Sequence, residues 1–479
     1  MTQQLHNFVN GQHQPSNSGR FGTIYNPATG ELCAEVDLSS AAEANGAAEI
    51  SAHSQKAWAK VALKERLAVL EQFGQLLKQN LAQCSELIVQ EHGKPRSQAE
   101  LELTKALEVI GSLSALMQTC NWSAQAQNSK PYAQPLGVCV GITTSLIPAL
   151  SALWLFPIAL CCGNSFILKP SERTPSIALK FAELLQQAGL PDGLFQVIQG
   201  DKEVVDALIS HPQVMAVSFI GSTHIAKTVY RKASDAGKRV QALGSAKNHL
   251  LVADDADLQL VSDELMNAAF SMSGQNCMAA SVVVTTSDAI ADALIERLIP
   301  RIQALKIGPG NAQPENDMGP LISEAQLLKV RGYIEQGEKD GAQLLVDGRE
   351  LNYETGYFVG GSLFDQVSSQ MRIYREEILG PIILIMREHS YEQALSVINS
   401  HPFANSSAIF TNTEQLATDF CQRVETGNVG LNVALAEPAA DQSISGWKQS
   451  LFGPLGVCGP DGQRFFTRQK SITKPLVKK

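Results

Sequence analysis

The 479 residues carry 38 Lys and Arg against 47 Asp and Glu, a formal net charge of −9, with 44% hydrophobic and 18% charged residues. An acidic chain without a basic stripe excludes nucleic acid as the main partner. The composition is that of a globular protein, and the length exceeds what one core organises, which points to two or three domains.

The opening Met1-Thr2-Gln3-Gln4-Leu5-His6 lacks the charged-then-apolar order of a signal peptide. Short strands with turns are expected at Phe8–Gln12 and Tyr25–Glu31. Helical periodicity then runs from Ala41 to about Leu116, broken at Lys60-Val61 and at His92-Gly93-Lys94-Pro95. Asn121–Gln134 is polar and alternating with no core face, and reads as an exposed hairpin or an arm that joins a neighbour's sheet.

From Gly137 the pattern alternates between strands and helices. Strands are predicted at Val138–Ile142, Ser165–Pro170, Phe195–Ile198 and Met215–Ile220, and helices at Ser176–Ala188, Val204–Ser210 and His224–Ala233. The most apolar stretch, Ile147–Cys162, contains Pro148 and Pro157. It falls short of the ~20 residues of a membrane helix and is expected to be one buried helix. A second α/β succession follows Ala246 to about Val429, and Arg464–Ile472 reads as a strand. The alternation implies an α/β protein with parallel sheets covered by helices on both faces. Nine cysteines without metal-ligand spacing fit a reduced, cytoplasmic protein with no metal site.

Cys277 lies in Gly274-Gln275-Asn276-Cys277-Met278-Ala279-Ala280-Ser281, between a helical pattern that starts near Leu258 and the strand-like Val282–Thr286. Small neighbours at such a junction allow a substrate to approach, although a lone cysteine is by itself more often a packed, inert thiol. Gly221-Ser222-Thr223 closes a strand and opens a helix, which suits either a phosphate on free backbone N–H groups or a plain N-cap. Lys169-Pro170-Ser171-Glu172 ends the preceding strand, and there Lys169 and Glu172 read either as ribose ligands or as a surface ion pair. The Gly-x-Gly-x-x-Gly fingerprint is absent.

Taken together, Lys169–Glu172, Gly221–Thr223, Gly274–Cys277 and Glu377-Ile378-Leu379-Gly380-Pro381 resemble the aldehyde dehydrogenase superfamily from Phe8 to Thr467. Gly237–Gly244, Ala246-Lys247-Asn248-His249, Ile373–Glu377 and Gly446–Gly453 are most similar to its CoA-acylating methylmalonate-semialdehyde dehydrogenase branch. The resemblance implies two doubly wound parallel-sheet domains and a small β oligomerisation arm. An NAD-binding domain is expected at 1–120 and 135–245, a catalytic domain at 246–453, and the arm at 121–134 and 454–479. A homo-oligomer, dimer or tetramer, is expected through Asn121–Gln134 and Arg464–Ile472, since neither segment has an evident strand partner within one subunit.

By the same resemblance Cys277 is the nucleophile that forms a thiohemiacetal and then a thioester. NAD would lie along Lys169, Ser171, Glu172, Gly221 and Ser222, with Glu377 at the nicotinamide ribose. Most relatives hydrolyse the thioester with a glutamate, and the matching Gln241-Ala242-Leu243-Gly244-Ser245 has no carboxylate. The acyl group would therefore pass to CoA as co-substrate, with loss of the substrate's carboxylate. Three positions depart from the branch: Leu146 stands for the oxyanion asparagine, Asn276 for an arginine before the cysteine, and Lys105 for a helix arginine. Both arginines are thought to clamp the substrate carboxylate, and neither lysine nor asparagine reproduces the planar fork. Leu379 stands where a phenylalanine is usual. The expectation is NAD-dependent oxidation of a small carboxylated semialdehyde of the methylmalonate or malonate type. Altered specificity, or a catalytically impaired nucleotide-binding relative, stays open because of Leu146.

Overall fold

The structure, a computed structural model, describes residues 3–122 and 132–473. Most of the expected arm segment 121–134, and the basic tail from Lys474 onward, lie outside the described residues.

Two sheets organise the chain. The first has eight strands, in the order Leu451–Phe452, Arg239–Leu243, Val214–Ile220, Val138–Ile142, Ser165–Lys169, Phe195–Val197, Asn7–Val9 and Gln12–Gln14. Its five central strands are parallel, and the flanking ones are antiparallel additions. The second has seven strands, running Gln343–Val346, Ser362–Asp365, Ile382–Arg387, Ala280–Thr285, Asn248–Val252, Ser406–Phe410 and Asn428–Leu431. Only Gln343–Val346 is antiparallel there. The expected parallel α/β design is thus present, with antiparallel edges that the strand-helix alternation did not indicate.

Side chains alternate across each sheet, so each has two apolar faces to cover. Phe166 and Leu168 enter one core with Phe73, Phe156, Phe181 and Phe195, while Ile167 enters the opposite one with Val140, Val204 and Val229. The second sheet divides likewise: Leu251, Val282 and Leu384 face one core, and Leu250, Val283 and Ile383 the other.

The helical N-terminal half breaks where expected, between Ala41–Trp58 and Leu63–Gln79 and again before Arg96–Gln118. A further break at Asn80 separates off Leu81–His92. The stretch expected as one buried helix is two, Pro148–Leu153 and Phe156–Cys161, both fully buried. Pro157 has no N–H to offer the carbonyl of Leu153, so one continuous ladder is broken there. No described helix is long and apolar enough to cross a membrane.

The C-terminal expectation is corrected in part. Arg464 and Phe465 end a helix, Gly459–Phe465, and only Thr467–Lys470 is a strand. That strand pairs antiparallel with Tyr132–Pro135 of the same chain, so these segments do have a partner within one subunit. The pairing gives both strands backbone partners, and the Ala133 N–H also donates to the Asn121 carbonyl at 2.7 Å. Val457, Phe465 and Phe466 pack in the first core, where Phe466 meets Phe166 with ring centroids 6.2 Å apart.

Candidate active site

Asp257 starts the helix that delivers Cys277, its carboxylate accepting the N–H groups of Gln259 at 2.9 Å and Leu260 at 3.3 Å. The helix ends at Phe270, and Met272, Ser273 and Gly274 follow with φ of 49°, 54° and 68°. Left-handed backbone at two successive non-glycine residues costs on the order of 1 kcal/mol each, so the surroundings must hold it. They do: the Met272 N–H donates to Gln98 Oε1 at 2.6 Å and Ser273 Oγ to the Gly319 carbonyl at 2.7 Å. Gly274 is required twice over, for its φ and because a Cβ there would stand 2.2 Å from the Gly380 carbonyl oxygen.

The chain reaches Cys277 before the strand Ala280–Thr285 begins, so the expected helix-to-strand junction is where the cysteine stands. Its carbonyl accepts Nδ2 of Asn248 at 2.9 Å and Nδ2 of Asn405 at 3.1 Å. The strand Asn248–Val252 and the residue just before its neighbour Ser406–Phe410 thereby fix the backbone that carries the sulfur. Burial pushes the thiol up to about 12, the Glu437 and Glu377 carboxylates add to this, and the N–H groups of Cys277 and Met278 oppose it. The thiol is therefore neutral near pH 7.

Cys277 shares a narrow cleft with Asn276, Lys247 and Glu377. Asn276 also borders a cavity of about 750 Å³ lined by Lys105, Glu108, Trp154, Met272 and Glu437. Lys105 and Asn276 thus line one cavity beside the cysteine. Leu146 borders neither space, whereas its neighbours Ile147 and Leu150 line the larger one. The Leu146 carbonyl accepts Lys94 Nζ at 2.9 Å and its N–H donates to Thr144 Oγ1 at 3.3 Å. Lys94, which pairs with Glu102, and Glu102 and Glu437, which line the larger cavity, are residues that sequence reasoning did not single out. A lysine between Gly93 and Pro95 at a helix break was a visible signal for the first. Glu437 sits in an aperiodic loop and gave none.

The nucleotide candidates gather at the carboxyl ends of the first sheet. Ile142 pairs in register with Phe219 on one side and Lys169 on the other, so Gly221 and Lys169 leave adjacent to the same central strand. The loop that contains Leu146 leaves between them. Lys169, buried, is ion-paired with the half-buried Glu172, and Ser171 Oγ accepts the Arg173 N–H at 3.3 Å. Ser222 occupies the N-cap position of the helix Thr223–Asp235 but its side chain makes no cap hydrogen bond. Instead Thr223 N–H donates to Ser245 Oγ at 3.2 Å and Ser245 N–H to Thr223 Oγ1 at 2.8 Å.

Ser245 carries the link onward, since its side chain and the Ala246 N–H (2.8 Å) both donate to Glu377. Burial still raises the Glu377 carboxyl above the usual range. Below it, the buried Lys247 donates to the carbonyls of Ile373 at 2.7 Å and Glu376 at 3.0 Å, fixing the loop that presents Glu377. Desolvation lowers Lys247 to about 7. One relay of polar contacts therefore joins the helix N-terminus at Gly221 to the cleft of Cys277. Ala242 lies within the strand Arg239–Leu243, with no carboxylate on that strand.

A partly buried cysteine between two α/β sheets, with a glutamate sharing its cleft and a glycine-led helix N-terminus beyond, is the plan of a thiol-dependent oxidoreductase. The chain belongs to the aldehyde dehydrogenase family, whose model matches residues 13–472. It is 45% identical to the malonate-semialdehyde dehydrogenase of Pseudomonas aeruginosa, over 98% of this chain and 96% of that protein. The malonate-semialdehyde dehydrogenase of Halalkalibacterium halodurans is 39% identical, with 98% of each chain covered. The crystal structure of methylmalonate-semialdehyde dehydrogenase from Oceanimonas doudoroffii superposes with a TM-score of 0.96 at 41% identity, covering 100% of this chain and 99% of that one. A Sinorhizobium meliloti protein described as a methylmalonate-semialdehyde dehydrogenase and solved with NAD gives 0.96 at 39% identity, with 100% and 99% covered.

Proposed function

We propose that this chain oxidises a small carboxylated semialdehyde, of the malonate or methylmalonate type, with NAD, and that the acyl group held on Cys277 passes to CoA. The observation that carries the reading is Cys277 sharing one cleft with Glu377, beside a cavity large enough for an aldehyde. The similarity to malonate- and methylmalonate-semialdehyde dehydrogenases supports the substrate class.

The Cys277 thiol must first lose its proton to solvent; the thiolate then attacks the aldehyde carbon, and the Cys277 backbone N–H stands ready for the alkoxide that forms. NAD, once bound, supplies the hydride acceptor. The residues that suit it are the helix N-terminus at Gly221 and Ser222 for phosphate, and Lys169, Ser171 and Glu172 at the adjacent strand end for the adenine ribose. Glu377 suits the nicotinamide ribose, held from behind by Ser245 and Ala246. Glu172 favours NAD, because a carboxylate there repels a 2′-phosphate. Lys105 is the cation for the substrate carboxylate. Ala242 offers no base to activate water, so the thioester on Cys277 persists until a thiol such as that of CoA takes the acyl group.

Residues 1–120 and 135–245 form the nucleotide domain in this reading, and 246–453 the catalytic one. All nine cysteines are unpaired, which supports a reducing, cytoplasmic setting. The ribbon of Tyr132–Pro135 and Thr467–Lys470 is the arm of a homo-oligomer.

The test is to incubate purified protein with NAD, CoA and malonate or methylmalonate semialdehyde and to follow NADH absorbance. NADH formation that requires CoA for turnover, is weaker with NADP, and is lost in Cys277→Ala supports the reading. Full activity in Cys277→Ala removes the cysteine from the mechanism.

A further inference from the structure

Lys105 and Glu437 face each other across the larger cavity. Lys105 projects from the helix Arg96–Gln118, Glu437 from the loop after the strand Asn428–Leu431, and the two side chains form an ion pair. Lys105 is the one cation among the described residues lining this space. Of the lining carboxylates, Glu102 is already held by Lys94 and two backbone N–H groups. A substrate carboxylate therefore finds a single positive charge, and finds it occupied.

We propose that Glu437 is a resident carboxylate on Lys105, standing where the substrate's own carboxylate binds. Anionic aldehydes then enter by exchange of one carboxylate for another, and Glu437 sets the preference between charged and uncharged substrates. This rests on the reading of the cavity as the aldehyde site.

The pair can open, because the side chains of Lys105 and Glu437 are 33% and 27% exposed and neither is locked by burial. An ion pair this exposed contributes little to stability and is readily replaced. The exchange nonetheless disfavours an anionic substrate, since the displaced Glu437 and the nearby Glu108 remain as like charges around it. An uncharged aldehyde leaves the pair intact. Glu437 also acts on Cys277, whose thiol it helps to hold neutral, so its charge reaches the reacting end of the cavity.

The measurement is the ratio of kcat/KM for malonate semialdehyde to that for propanal, which has the same carbon count without the carboxylate. In Glu437→Gln the ratio should rise about 3–10-fold, and in Lys105→Met it should fall by at least as much. With Lys105→Met already present, adding Glu437→Gln should raise the ratio by less than it does in the native background, since only like-charge repulsion and no exchange remains. Binding of unreactive malonate by calorimetry reads the same exchange without chemistry, with tighter binding expected in Glu437→Gln. An unchanged ratio with unchanged malonate affinity overturns the proposal, as does an equal loss of kcat with both aldehydes. Failure of the native protein to oxidise either aldehyde counts against the proposed reaction instead, and the malonate titration still decides the exchange.

Discussion

The Nζ of Lys94 stands 2.7 Å from Oε2 of Glu102, with both side chains buried, and this pair holds three segments of the site together. Lys94 also donates to the Leu146 carbonyl at 2.9 Å and contacts the Met272 thioether at 3.3 Å. The second oxygen of Glu102 accepts the N–H groups of Ala149 at 2.8 Å and Leu150 at 3.0 Å, in the first turn of Pro148–Leu153. The loop through Leu146 and the left-handed turn before Cys277 are thus referred to one ion pair.

Lys94→Met should leave Glu102 charged and uncompensated in the interior, at a cost of about 3–5 kcal/mol. Urea unfolding measures it, and the paired Lys94→Met/Glu102→Gln variant should recover part of the loss. A single variant that costs less than about 1 kcal/mol would show that the pair does not secure this region.

The relation between Lys94 and Leu146 also marks the limit of sequence reading. The strands of both sheets follow alternation and apolar runs, so Val138–Ile142 was placed to the residue and Val214–Ile220 to within one. The junction at Cys277 was legible for the same local reason, a helix that stops and a strand that starts, whereas its reading as a nucleophile came from the family resemblance. Glu437 was not, because its meaning comes from Lys105 on a helix far away in sequence, and an aperiodic loop does not encode such a partner. The ribbon was misjudged likewise: Tyr132–Pro135 and Thr467–Lys470 each lack a local partner and find one only across the chain. Pro157 did signal its own break, but burial on every side made two short helices look like one.

The state of Cys277 predicts how its reactivity varies with pH. Its folded pKa, about 12, lies above that of an ordinary thiol, so the thiolate fraction is small near neutrality and grows tenfold per pH unit. Alkylation by iodoacetamide, followed on the Cys277 peptide by mass spectrometry, should therefore accelerate log-linearly from pH 7 to about 10. A plateau near pH 7 or 8 would mean that the free protein already stabilises a thiolate.

Association is expected through sheet edges. The strand Asn428–Leu431 ends the second sheet and exposes Val429 and Leu431, with Val433 and Trp447 also exposed. An apolar edge of this kind is covered by strand addition in a stable protein, and the ribbon of Tyr132–Pro135 with Thr467–Lys470 is a suitable donor from a second copy. Light scattering at micromolar concentration should return a dimer or a tetramer. A monomer at that concentration would refute the assignment, and Leu431→Lys should shift the assembly toward smaller species.

Leu146 carries the prediction that separates a fast enzyme from a slow one. Its backbone is secured by Lys94 and Thr144, and by the family resemblance its side chain stands in place of the amide used at the oxyanion, although it borders neither the cleft nor the cavity. If that reading holds, the Cys277 N–H is the main donor left for the alkoxide, and one missing donor typically costs ~10²–10³ in rate, or about 3–4 kcal/mol. Because Lys94 grips a main-chain carbonyl, Leu146→Asn leaves that bond in place and should recover part of the rate. Ser145 is the nearest hydroxyl along the loop that can substitute as donor, so Ser145→Ala should slow the native protein further if it does so. Single-turnover NADH formation for the native, Leu146→Asn and Ser145→Ala proteins reads all three. A native rate that is already fast, and indifferent to both substitutions, would mean that this loop has lost no oxyanion donor.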